Sequence, residues 1–395
     1  MGKNQSPGQG TRSIWAGEEE YLMQHATQVP VVHSVSFGYK DVNQWLQVAL
    51  GNKEGHIYSR NTNPTVDVFE KKICRLEGAK AATSASTGMG IISNTLFALL
   101  QPGQRVVSVK DTYGGTNKIF TEFLPRINID VTLCGTTDHE EIEAQVAKGC
   151  DLLYLETPTN PTIKIIDLAR LARAGKENGA IVVVDNTFAT PINQQPLSLG
   201  ADLVLHSATK FLGGHADALG GVVCGNKDLI QKIYHYREIT GATLDPMSAY
   251  LLLRGMKTLA LRIERQNKNA MEIARHLYAH PKVEAVFYPG LESHEGHQIA
   301  RKQMTGFGGM LSFILKKDTF EAVGVVLANL EYAHCAANLG AVETIVGPPA
   351  TTSHVECTQK ERQAMGIPES LIRYSAGIED IADLINDLDQ ALSKV

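Results

Sequence analysis

The chain lacks any long apolar run. Nothing in its 395 residues approaches the roughly 18 consecutive apolar residues that a membrane-spanning helix requires. Its start, Met1-Gly2-Lys3-Asn4-Gln5-Ser6, has no apolar segment of the signal-peptide kind, so the expected location is the cytoplasm. Charge of one sign is also scarce. Lys and Arg number 37 against 42 Asp and Glu, giving a net charge of -5 and a pI near 6.2. That balance offers no basic field, so neither nucleic acid nor an anionic membrane is an expected partner. Cysteines are few: Cys74, Cys134, Cys150, Cys224, Cys335 and Cys357 stand apart, with no C-x-x-C pair. Such spacing argues against a disulfide framework and for reduced thiols. No internal repeat or low-complexity tract is visible. What remains, with 43% hydrophobic and 20% charged residues, is an ordinary globular composition with room for about two or three domains.

An alternation runs through the middle of the chain. From Tyr58 to about Tyr250, short continuous apolar runs suited to strands recur at 105–109, 129–133, 151–156, 181–185, 203–206 and 221–224. Helical stretches fall between them at 119–124, 140–148 and 168–178. This is the pattern of an α/β fold with a mostly parallel sheet covered on both faces. Residues 1–55 show no long periodic element, apart from one short helix around 42–50. They read as an N-terminal arm that packs on another subunit. Residues 56–250 form the large domain. Residues 251–395 form a smaller C-terminal α/β domain, with helices expected at 259–279, 320–328 and 381–392 and strands at 283–288 and 310–315. The segment 347–356, with Pro348 and Pro349, reads as a loop.

Ligands of parallel sheets bind beyond the carboxyl ends of the strands. Three chemical groups gather there: Glu156-Thr157-Pro158, Asp185-Asn186-Thr187 and Ser207-Ala208-Thr209-Lys210. A lysine flanked by Ser and Thr, and preceded by a strand-terminal Asp, is the set that holds pyridoxal 5'-phosphate. The amine forms the Schiff base, the hydroxyls meet the phosphate, and the carboxylate keeps the ring nitrogen protonated. Ser86-Thr87-Gly88-Met89-Gly90 opens an apolar helix and offers backbone N–H groups to an anion, although a turn of this kind is more often only a turn. It is not a GxxxxGK[ST] loop, which disfavours a nucleotide. Tyr113, after the strand at 105–109, is placed either to stack on a flat ring or to fill the core. Arg373, in a strand-like stretch, presents a fork for a carboxylate or makes an interdomain salt bridge.

Taken together these parts resemble the cystathionine γ-synthase-like pyridoxal phosphate enzymes of cysteine and methionine metabolism. The resemblance runs from about Thr11 to Leu388. It is carried by the stretches 58–65, 111–115, 156–161, 185–188, 206–210 with 214–217, and 350–354. It implies the aminotransferase-like architecture known as fold type I. Lys210 would carry the cofactor and then move protons, and Asp185 would pair with the pyridine nitrogen. Tyr113 would stack on the ring and Asn160 would contact its hydroxyl. Gly88, Met89, Ser207 and Thr209 would hold the phosphate, with Tyr58 and Arg60 reaching it from a neighbouring subunit. Arg373 and Asn338 would take the carboxylate of a small amino-acid substrate. The implied assembly is a homotetramer built as a dimer of dimers.

The resemblance also implies chemistry at the γ-carbon of a γ-substituted homoserine-type amino acid, through a vinylglycine-level intermediate. γ-Replacement, as in O-acetyl- or O-succinylhomoserine sulfhydrylases and cystathionine γ-synthases, is the first reading. Elimination by a γ-lyase acting on a methionine- or canavanine-type amino acid is the alternative. Members that make or cleave cystathionine usually carry Glu where this chain has Ala337. Methionine γ-lyases typically carry Cys where it has Gly115. The stretches 338–340 and 349–354 look most like homoserine-ester sulfhydrylases, and 342–344 more like γ-lyases. A remote rival is a serine acyl-enzyme, because Ser207-Ala208-Thr209-Lys210 matches S-x-x-K; its companion SDN and KTG elements are missing. His294 and His297 form no expected metal site, since no third ligand accompanies them.

Overall fold

The computed structural model describes residues 7–18, 25–352, 355, 359–364 and 366–395. Strands β1 (Ala81–Ala85), β2 (Arg105–Val109), β3 (Asp130–Cys134), β4 (Leu152–Glu156), β5 (Ile181–Asp185), β6 (Leu203–Ser207) and β7 (Gly221–Gly225) form a seven-stranded sheet in the order β1-β7-β6-β5-β4-β2-β3. The pairs β2–β3, β2–β4, β4–β5 and β5–β6 are parallel, and β7 runs antiparallel to both of its neighbours. Side chains on both faces of the central strands are buried, which is why these strands read as unbroken apolar runs. On one face Val204 and Val222 pack with Phe69, Ile73 and Leu76 of the helix Pro64–Glu77. On the other, Val183 and Leu205 pack with Ile91 and Leu96 of the helix Gly88–Leu99.

A second sheet of five strands comprises β8 (Val283–Phe287), β9 (Met310–Leu315), β10 (His334–Cys335), β11 (Ile345–Gly347) and β12 (Leu371–Ser375), in the order β10-β11-β12-β9-β8. The long helix Leu259–Ala279 and the last helix Ile381–Leu392 bury Ile273, Leu277, Leu384 and Leu388 against Phe313 and Tyr374 of this sheet.

Several elements depart from the sequence expectation. β1 was not expected, because Ala81-Ala82-Thr83-Ser84-Ala85 has no large apolar residue; pairing with β7 makes it a strand. The helix expected at 119–124 begins at Gly114 and passes into a π-helical turn at Ile119–Phe123. The helices Lys227–Thr240 and Pro246–Met256 fill a stretch that carried no expected element. Within the expected loop 347–356, Pro349–Thr351 forms a 3-10 turn, whereas Ser353, His354 and Glu356 lie outside the described residues.

The N-terminal segment also holds more structure than expected. A helix at Gln9–Trp15 lies on its own chain. The fully buried Lys72 ammonium donates to the carbonyls of Ser13 and Ile14 at 3.0 Å each and to Glu18 Oε1 at 2.6 Å. Glu18 Oε2 in turn accepts from Lys257 at 2.6 Å. A buried ammonium is tolerated only when paired in this way. The second helix, Val42–Ala49, leaves Val42, Trp45 and Leu46 exposed on its surface.

Candidate active site

The strand ends supply one wall of the site. Asp185 is the last residue of β5, in register with Glu156 at the end of β4. The hydroxyl and N–H of Thr187 donate to Asp185 Oδ1 at 2.6 and 3.0 Å, a turn that an aspartate at a strand end readily forms. Tyr154 presents its hydroxyl to Asp185 Oδ2 at 3.5 Å. Burial pushes the Asp185 carboxyl up, and the hydrogen bonds from Thr187 hold it back.

β6 ends at Ser207, and a turn in which the Lys210 N–H donates to the Ser207 carbonyl at 3.1 Å delivers the lysine. The Lys210 ammonium reaches Asn338 Oδ1 at 2.7 Å. Burial, with Arg373 nearby, lowers its pKa to about 8, which makes the amine available as a nucleophile near neutrality. Thr209 Oγ1 accepts the Gly220 N–H at 3.0 Å.

The anion-binding end is a helix start. Thr87 caps the helix Gly88–Leu99, its hydroxyl accepting the Gly90 N–H at 2.9 Å. The N–H groups of Gly88 and Met89, first in the helix, have no intrahelical acceptor. A Cβ at Gly88 would stand 2.7 Å from Ser207 Cβ, so only glycine lets this helix close on the turn that bears Lys210.

The opposite wall comes from the second sheet. Arg373 lies buried within β12 and donates to Asn160 Oδ1 and to the Asn338 carbonyl, each at 3.2 Å. Burial lowers the guanidinium to about 10, and its five N–H donors leave capacity for a bound carboxylate. Between the walls is a cavity of about 240 Å³. Gly88, Met89, Tyr113, Asn160, Asp185, Ser207, Thr209, Lys210, Asn338 and Arg373 all line it, as do Glu156, Thr187, Phe188 and Ala337. Glu156 and Thr187 were not singled out as site residues; their place at strand ends was the available signal. Phe188 was marked only as the end of the 185–188 stretch that carries the resemblance.

Tyr58 and Arg60 do not line this cavity. The Arg60 guanidinium lies 5.7 Å from the Tyr58 ring centroid and bonds to the Glu238 carbonyl. The S-x-x-K reading lacks its central contact, since the Lys210 amine goes to Asn338 and not to the Ser207 hydroxyl. Nδ1 of His294 and of His297 is each engaged by backbone, the former by the Gly296 N–H at 3.1 Å and the latter by the Pro289 carbonyl at 2.8 Å.

This donor set fits pyridoxal phosphate. An anion cradle that glycine keeps open, a neutralisable lysine and a buried carboxylate converge on one cavity, with an aromatic at its edge.

Comparison with known proteins gives the same direction. The family model described as Cys/Met metabolism PLP-dependent enzyme matches residues 10–393. An L-methionine gamma-lyase of Fusobacterium nucleatum subsp. polymorphum is 43% identical over 391 residues, covering 98% of each chain. A cystathionine gamma-lyase of Bacillus subtilis is 42% identical over 363 residues, covering 92% of this chain and 95% of that one. The solved structure of a cystathionine gamma synthase from Xanthomonas oryzae pv. oryzae, in complex with aminoacrylate and cysteine, aligns with a TM-score of 0.93 at 37% identity over 99% of both chains.

Proposed function

The chain belongs to the Cys/Met metabolism PLP-dependent enzyme family, and from that premise we propose that it acts on γ-substituted L-homoserine-type amino acids carrying no second ammonium group, with γ-replacement by a small uncharged acceptor as its main reaction. Ala337 carries this reading. It lines the cavity beside Asn338, and the only carboxylates of the described lining residues are Glu156 and Asp185, both on the strand-end wall. Among the described lining residues, a distal ammonium, whether of cystathionine or of an incoming cysteine, finds no carboxylate opposite them.

Pyridoxal phosphate, when bound, supplies an electron sink that acidifies the substrate Cα–H. Lys210 carries the cofactor and its freed amine moves protons between Cα and Cβ. Asp185 pairs with the ring nitrogen and Tyr113 covers the ring. Asn160 serves the ring hydroxyl, and Gly88, Met89, Ser207 and Thr209 hold the phosphate. Arg373, fixed by Asn160 and Asn338, takes the substrate carboxylate. Tyr58 and Arg60 complete the phosphate site of a neighbouring subunit. Their place outside their own cavity supports that reading, as does the bare apolar surface of the helix Val42–Ala49. The assembly is then a dimer of dimers with shared sites, working in the cytoplasm.

A second reading, γ-elimination to a keto acid and ammonia, is favoured by the 43% identity to an L-methionine gamma-lyase. Gly115 bears on the substrate. A Cβ there would stand 2.8 Å from Met89 Sδ, so a cysteine would force Met89 aside. A panel assay separates the readings. O-acetyl- and O-succinylhomoserine with sulfide or cysteine are run beside methionine, cystathionine and canavanine alone, with keto acid and new amino acid scored separately. New amino acid from sulfide with little keto acid supports replacement; keto acid from a single substrate overturns it in favour of elimination.

A further inference from the structure

Two side chains, Glu156 and Lys164, tie the Tyr113 loop to the Asn160 loop, and neither has a role in the chemistry above. Glu156 is 6% exposed, and its Oε2 accepts the Tyr113 N–H at 2.9 Å. Lys164 closes the loop that follows and donates to Asp111 Oδ2 at 2.7 Å, where the Thr136 hydroxyl also donates at 2.5 Å. Asp111 and Tyr113 flank Thr112, so the two ties grip one short segment from both sides. The gripping loop is itself held. Ile163 adopts φ 54, a left-handed conformation that a β-branched residue avoids unless its surroundings impose it. Here the Ile163 N–H goes to the Thr159 carbonyl at 3.0 Å, and the Pro161 carbonyl accepts from Ser312 of β9 at 2.6 Å. The same loop carries Asn160, which meets Arg373.

We propose that Glu156 and Lys164 are positioning residues that hold the Tyr113 ring over the cofactor and, through the shared loop, set Arg373 for the substrate carboxylate. The inference rests on the cofactor site and not on the choice of substrate. Tyr113 is 46% exposed, so its side chain gets little fixation from packing. A hydrogen bond donated by its own N–H to the buried carboxyl at a strand end fixes the backbone instead. Glu156 also stands in register with Asp185. A second negative charge there would compete for the ring nitrogen. Burial and the neighbouring Asp185 carboxylate push the Glu156 carboxyl up, which lessens that competition.

The test uses the holoenzyme with Glu156→Gln, Glu156→Ala and Lys164→Met. The visible circular dichroism of the bound cofactor, per unit of its absorbance, reports ring asymmetry whatever the substrate. We expect Glu156→Gln to keep that signal and to hold kcat within about threefold. Glu156→Ala should lose most of the signal and about tenfold or more in kcat. Lys164→Met, at a partly exposed position, should weaken the signal and raise KM more than it lowers kcat. If Gln proves as damaging as Ala, charge and not positioning is at work and the proposal fails. Unchanged dichroism and kinetics in Lys164→Met overturn its half of the proposal. If Glu156→Ala does not fold, the Gln and Met variants decide. Native protein without the cofactor band would instead sink the family-level cofactor reading, and this proposal with it.

Discussion

Glu156, Asp185 and Ser207 end three neighbouring strands of one sheet, whereas Ala337, Asn338 and Thr352 stand on connections around short strands of the other. On the first wall the side chains are spaced by the roughly 4.8 Å between hydrogen-bonded strands, and the strands are buried on both sides. Moving one group there means moving the sheet. The second wall is different. Arg373 is anchored within β12, but its companions ride on loops, which tolerate substitution far better than the strands they join. In the proposed assignment the cofactor chemistry is therefore built into the fold, and the choice of partner for the γ-carbon is left to replaceable residues.

The largest effect should come from the rigid wall. In the proposed roles, Lys210→Ala removes both the attachment point of the cofactor and the group that moves protons. Turnover should fall by about three orders of magnitude or more, while cofactor still binds without a covalent link. Retention of more than a few per cent of native activity would take Lys210 out of its role and erase the contrast between the walls.

A second test asks whether the rigid wall is complete within one chain. Arg60→Ala and Lys210→Ala proteins should each be inactive. If Arg60 serves the neighbouring site, refolding them together gives hybrids in which one site of each pair has both native residues. About a quarter of native activity should return for random pairing in a dimer. Verified hybrids that stay inactive would mean that each subunit builds its site alone.

The two walls also differed in how far the sequence disclosed them. Strands at 105–109 and 181–185, and the helix at 259–279, were legible to the residue because unbroken apolar runs and helical periodicity dominate there. β1 was not, since small residues become a strand only through the neighbour they pair with. The helix Pro64–Glu77 was not expected either, although Asn63 caps it, Pro64 stands in its first turn and Gly78 follows its end in the left-handed conformation. On the substrate side, motif likeness had to replace periodicity, and part of that likeness, Ser353 and His354, lies outside the described residues.

The amine of Lys210 gives a graded test of the cofactor wall. Its pKa, lowered from 10.5 to about 8 by burial and Arg373, means that the neutral fraction rises with pH up to about 8 and then levels off. Reconstitution of cofactor-free protein with pyridoxal phosphate should therefore accelerate about tenfold per pH unit below that value. The sign for stability follows from the same shift. Between about 8 and 10.5 the folded state binds fewer protons at Lys210 than the unfolded state, so stability rises with pH in that window. Below it the cost of burying the ammonium is constant. A reconstitution rate flat from pH 6 to 8 would show that burial does not set the state of this amine.

The smallest expected effect belongs to the replaceable wall, and it is the most direct probe of the contrast. Ala337 lies beside Asn338, whose side chain meets Lys210 and whose carbonyl meets Arg373. A carboxylate at this position would stand near the end of a bound substrate and attract a distal ammonium. Native protein should therefore handle cystathionine and cysteine poorly. Ala337→Glu should improve one or both by about 1–2 kcal/mol, or about fivefold to thirtyfold in kcat/KM, the range of a charge-assisted contact. The cofactor absorbance of the variant should not change, because the strand-end wall is untouched. If native protein already makes or cleaves cystathionine as fast as any simpler substrate, specificity does not reside in this loop. If Ala337→Glu instead disturbs the cofactor spectrum, the two walls are coupled, and the division between a fixed chemistry and a replaceable choice of partner has to be abandoned.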